Sequence, residues 1–108
     1  MDESKIRTPQ TDLLIQALLC LKTPEEAYAF LEDLCTIAEL KSMSQRLEVA
    51  VLLRQKVTYQ EIAKRTGAST ATISRVNRCL MYGPDGYHRV LDALEDRGQI
   101  ETVEKDRT

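Results

Sequence analysis

"TYQEIAKRTGASTATISRVNRCL", Thr58 to Leu80, contains two short helical patterns joined at a single glycine. Thr58 is placed to cap a helix over Tyr59–Thr66, Gly67 to end it, and Ser69 to cap a second helix reaching about Tyr82. A helix-turn-helix needs a small residue where its helices cross and a residue tolerant of positive φ in the turn. It also needs a few apolar residues that lock the pair at a steep angle. Counting Tyr59 as the first position, Ala63 falls fifth, Gly67 ninth, Ile73 fifteenth and Val76 eighteenth. Ile62 and Ala68 fill two further packing positions. Thr66 departs from the pattern, because an apolar residue is more usual there.

The second helix leaves Ser69, Thr70, Ala71, Ser74, Arg75 and Arg78 for its outer face. Ser and Thr are middling helix formers, so helix stability did not select them. Short side chains at a helix N-terminus let the backbone approach base edges. Hydroxyls bond to either kind of base pair, Ala and Thr methyls meet thymine methyls, and Arg bridges guanine O6 and N7. The same helix start favours a nearby phosphate. Thr58, Gln60, Lys64, Arg65 and Arg54 are the candidate phosphate contacts, which set register rather than sequence. A plain helical hairpin in a bundle shares the Ala–Gly–Ile–Val spacing but has no need of that outer face. Double-stranded DNA is therefore the expected partner, with Arg75 and Arg78 better placed than Lys64 or Arg65, for which a solvated surface is an equal alternative.

Working outward, the whole chain reads as all-α, with six helices and no strand. Thr11 or Asp12 is placed to cap a first helix through Leu21, with Leu14, Leu18 and Leu21 on one stripe. "TPEE" starts a second, with Thr23 as N-cap, Pro24 at the first helical position and Glu26 completing a capping box. Ala27, Phe30, Leu31, Leu34 and Cys35 give it an apolar face. Thr36 with Glu39 repeats the box and opens a third helix, Ile37 to about Arg54, whose expected buried stripe is Leu40, Met43, Leu47, Ala50, Val51 and Leu53. "QKVT" is a turn and "YGPDG" a loop. A last helix, Tyr87 to Arg97, places Val90, Leu91 and Leu94 inward. The expected organisation is a flexible start over 1–10, one helical DNA-binding and dimerisation domain over 11–97 with its helix-turn-helix at 58–82, and a disordered tail over 98–108.

Composition fits that reading. The 108 residues suffice for one domain with a small core, and with 43% hydrophobic but only 5% aromatic residues the aliphatic side chains must fill it. A net charge of −2 hides an asymmetry. Residues 41–89 hold nine Lys/Arg against three acids, a net +6, while the flanks hold six against fourteen, a net −8. A basic middle between acidic ends suits a polyanion-binding face on a molecule that is not itself a polycation. Three widely spaced cysteines, Cys20, Cys35 and Cys79, suggest free and mostly buried thiols in a reducing interior. No secretory leader or bilayer-length apolar run is evident, so a cytoplasmic protein without membrane contact is expected. With one histidine, His88, no zinc set stands out.

"GASTATISRVNRCL", preceded by "TIAELKSMSQRLEVAVLL", resembles the tryptophan-repressor superfamily, in particular its Trp-repressor-like branch. The resemblance runs from roughly Leu34 to Leu94 with a one-residue gap near Lys56. It implies an intertwined homodimer with two reading heads on successive major grooves of a palindromic operator. It also implies a candidate effector pocket: Thr36 matches the cap threonine, Arg46 and Arg75 the two arginines that hold the corepressor, and Thr72 the threonine near the second. Val76 stands where the tryptophan repressor has a glycine that makes room for the indole, and Cys79 where it has a serine. A β-branched side chain fills ring space and a thiol is the weaker hydrogen-bond partner. Both departures speak against tryptophan and leave another small-molecule corepressor, or none.

The expected function is thus a sequence-specific transcriptional regulator that represses by occluding a promoter. An alternative is a protein-interaction module of the transcription machinery using the same helix pair, since fold does not fix function. An enzyme is not expected, because His88 has no nucleophile beside it in a recognisable pattern.

Overall fold

The computed structural model describes residues 5–102. All regular structure in them is helical: α1 (Pro9–Leu19), α2 (Pro24–Leu34), α3 (Ile37–Arg54), α4 (Tyr59–Thr66), α5 (Thr70–Tyr82) and α6 (Gly86–Asp96). The expected all-α class with six helices holds. The chain divides into two compact units between Leu40 and Lys41, inside α3.

In the first unit, α1 starts earlier than the sequence suggests. Thr8, not Thr11 or Asp12, is the N-cap, and Pro9 occupies the first turn, where its missing N–H costs nothing. Thr8 Oγ1 accepts from Thr11 N at 3.1 Å, and Thr8 N donates to Thr11 Oγ1 at 2.9 Å. The reciprocal pair makes a capping box from two threonines, and the helix stops at Leu19 rather than Leu21. In α2, Thr23 Oγ1 caps Glu26 N as expected, but Glu26 Oε1 reaches one residue further back, to Lys22 N at 2.8 Å. The Thr36–Glu39 box opening α3 forms in both directions, at 2.9 and 3.0 Å. Neither α1 nor α2 has a fully buried residue. The apolar face expected on α2 is half-buried at Ala27, Phe30, Leu31 and Cys35, while Leu34 is exposed.

The second unit holds the core: Val49, Ala50, Leu52, Ile62, Ala68, Ile73, Val76 and Leu91. Burying each large aliphatic side chain contributes about 1.5–3 kcal/mol. The α3 stripe expected from the sequence is only partly inside. Ala50 is buried and Val51 and Leu53 pack against the core, but Met43 and Leu47 are exposed, and Val49 and Leu52 take their place. On α6, Leu91 is buried and Leu94 packs beside it, whereas Val90 faces out. The thiols are not buried either: Cys20 and Cys79 are exposed and Cys35 is intermediate.

Helix ends explain several sequence choices. α3 closes with Val57 N donating to Leu52 O and Lys56 N to Leu53 O, a Schellman motif with Lys56 at φ 67°. α6 closes the same way, with Gln99 N to Leu94 O, Gly98 N to Glu95 O and Gly98 at φ 72°. That second motif turns Ile100 back onto the core, so order extends past Gly98, where a tail was expected. The rest of that tail, 103–108, and residues 1–4 of the expected flexible start lie outside the described residues.

Three polar ties link the helices around the core. Gln45 Nε2 on α3 donates to Thr66 O at the end of α4 (3.1 Å). Arg54 on α3 pairs with Asp92 and Glu95 on α6. His88 Nε2 on α6 donates to Leu80 O on α5 at 2.7 Å, and because a carbonyl only accepts, this nitrogen carries the proton.

Candidate nucleic-acid interface

The interface is assembled from the turn outward. α4 ends at Gly67, whose φ of 75° lies in the left-handed region and whose N–H returns to Ala63 O at 2.9 Å. A Cβ added there would meet open space, so the backbone angle alone calls for glycine. Thr66, unusual by its type, has a local task. Its Oγ1 donates to Ile62 O at 2.8 Å and accepts from Ala68 N at 3.1 Å, which satisfies an amide inside the turn. Ser69 then caps α5, its Oγ accepting from Thr72 N at 3.1 Å.

α5 is two-faced. Ile73 and Val76 are fully buried against Ile62, Ala68 and the rest of the core. The opposite face presents Ser69, Thr70, Ala71, Ser74, Arg75 and Arg78, all exposed. Thr58, Gln60, Lys64 and Arg65 on and before α4 are exposed too. These ten residues therefore all lie at the surface. Two of the hydroxyls do structural work as caps: Thr58 Oγ1 accepts from Glu61 N at 3.2 Å, and Ser69 Oγ is engaged with Thr72. Arg65 pairs with Glu61 one turn away at 3.3 Å, an exposed pair of small energetic weight. Arg75, Arg78 and Lys64 have no side-chain partner among the described residues and remain available for a polyanion.

Arg54 is the clear correction. The sequence offers it as a phosphate contact, but its side chain is 17% exposed and is held by Asp92 and Glu95 of α6. It ties α3 to α6. His88, bonded to the end of α5, has a structural place in the fold as well.

Of the candidate effector residues, Thr36, Arg46 and Thr72 have partners close to home. Thr36 caps α3 in the first unit. Arg46 Nη1 donates to Ser42 Oγ at 2.7 Å. Thr72 belongs to the Ser69 cap. Val76 is 1% exposed, a core residue and not a wall of an open site, and Cys79 is exposed. One residue the sequence reading missed is Gln45. No local pattern marks it, because its bond to Thr66 spans 21 residues. Among the described residues no group of His, Cys, Asp and Glu could hold a metal ion, and no helix is long and apolar enough to cross a membrane.

Comparison with known proteins points the same way. A family model described as Trp repressor protein matches residues 9–95. The protein YerC of Bacillus subtilis (strain 168) is 52% identical over 96 residues, covering 89% of this chain and 92% of that one. A Trp operon repressor homolog from Chlamydia caviae is 39% identical over 61 residues, 56% of this chain and 60% of its own. The crystal structure of a TrpR like protein from Eubacterium eligens superposes with a TM-score of 0.81 at 56% identity, covering 91% of this chain and 98% of that one. A match over nearly all the ordered helices, with relatives more than half identical along almost their full length, leaves one conclusion: the chain belongs to the Trp repressor family, a family of DNA-binding transcriptional regulators and not of enzymes.

Proposed function

We propose that this protein is a dimeric repressor that binds a palindromic operator, with one α5 from each subunit in successive major grooves. The observation that carries the reading is the division of α5. Ile73 and Val76 are sunk in the core, while every residue fit to touch bases stands exposed on the other side. Base readout falls to Thr70, Ala71, Ser74, Arg75 and Arg78. Thr58, Gln60, Lys64 and Arg65 meet phosphates, and the basic central segment steers the approach. Leu13, Leu19, Leu34 and Ile37 stay largely exposed in a single chain, each at least half accessible. Such apolar surface around α1 and α2 supports a second copy as its cover.

Tryptophan is not the proposed effector. Val76 is packed into the core, and the polar candidates Thr36, Arg46 and Thr72 are engaged within their own helices. Any corepressor is of another kind.

The test is selection of bound fragments from random-sequence duplexes, followed by footprinting. The reading expects a two-fold symmetric motif with half-sites about one helical turn apart. An unsymmetrical motif would remove the dimer, and no enrichment would remove sequence-specific binding.

A further inference from the structure

We propose that Gln45, outside the helix-turn-helix and away from its reading face, is a positioning residue for sequence discrimination. The inference rests on the DNA-binding reading above. The last carbonyls of α4 have no intrahelical partner. Thr66 O finds one in Gln45 Nε2, donated from α3 at 3.1 Å, with both residues half-buried. The next peptide units are Gly67 in the left-handed region and Ala68, whose N–H is held by the Thr66 hydroxyl. Ser69 then opens α5. The Gln45 amide thus grips the backbone at the point where the chain changes direction, one residue before its most permissive torsions.

α3 is a sound support for this grip. Further along it, Val49, Ala50 and Leu52 are buried in the core, and its end is clamped to α6 through Arg54. Hydrogen bonds to base edges tolerate misplacement of only about 0.5 Å or 10–20°, whereas charge attraction to phosphates falls off gently with distance. Releasing the turn therefore harms discrimination more than general affinity. Gln45 itself is neutral, so replacing it by a neutral side chain leaves the number of cationic contacts unchanged.

The test uses the full chain, a duplex enriched by the wild-type protein from a random pool, and a scrambled duplex of equal length. Gln45→Met keeps length and volume but has no donor. Gln45→Lys restores a donor of similar reach. For Gln45→Met, affinity for the enriched duplex is expected to fall about 5- to 10-fold, the scale of one net hydrogen bond. Affinity for the scrambled duplex and the salt dependence are expected to stay unchanged. Gln45→Lys is expected to return the ratio of the two affinities toward the wild-type value. An unchanged ratio in Gln45→Met, a parallel loss on both duplexes, or a Gln45→Lys ratio as poor as that of Gln45→Met would each overturn the assignment. Failure of the wild type to distinguish the two duplexes would instead defeat the DNA reading itself.

Discussion

Gly67 and Lys56 hold the same left-handed backbone, at φ 75° and 67°, on either side of α4. Only one of them is glycine. A non-glycine residue in this region costs about 1–2 kcal/mol, so the two positions are expected to respond in opposite directions. Gly67→Ala should lower unfolding stability by about 1 kcal/mol or more, and Lys56→Gly should raise it by up to about 1 kcal/mol, both read from urea midpoints at unchanged slope. Gly67 was legible in the sequence because a turn glycine between two caps has few other meanings. Lys56 was not, since lysine carries no torsional signature and only the "QKVT" break hinted at a turn. On the reading face, Arg78→Ala should weaken binding to the matched site by about 1–3 kcal/mol, measured by titration against the selected duplex. Among the described residues Arg78 has no side-chain partner to lose, so the variant's unfolding midpoint should not move.

At the level of elements, Arg54 is the contrasting case. Charge and position suggest a phosphate contact, yet Arg54 joins α3 to Asp92 and Glu95 on α6. Arg54→Ala should cost about 2 kcal/mol of stability, with the exposure of Asp92 keeping the figure below that of a fully buried pair. Its affinity for DNA, measured where the variant is fully folded, should stay close to wild type. The reverse pattern, a stable variant that binds poorly, would restore Arg54 to the interface. Caps and breaks made α3, α4 and α5 legible almost to the residue, because Thr-x-x-Glu, Gly67 and Ser69 act through local bonds that the sequence spells out. Packing was harder to read. Met43, Leu47 and Val90 look inward by period alone but are exposed, since which part of a helix meets a neighbour depends on partners distant in sequence. Gln45 escaped notice for the same reason, its amide answering to a carbonyl 21 residues away.

Among the described residues, all eight members of the core lie in the second unit and α1 and α2 bury none of theirs, which is the ground for proposing that a second copy completes the molecule. Sedimentation equilibrium should give twice the chain mass, and Leu13→Asp combined with Leu19→Asp should shift it to the single-chain mass. A wild-type monomer at all concentrations would exclude the dimer. Family membership fixes the class of activity, while the face proposed to perform it rests on geometry: a short two-faced helix, apolar inside, small and basic outside. Amide chemical-shift mapping of the labelled protein on addition of the selected duplex tests that face most directly. The largest changes should fall at Thr58–Gln60 and along Ser69–Arg78, fading as salt is raised. Changes centred on α6 or on α1, with α5 undisturbed, would contradict the assignment of α5 as the element that reads DNA.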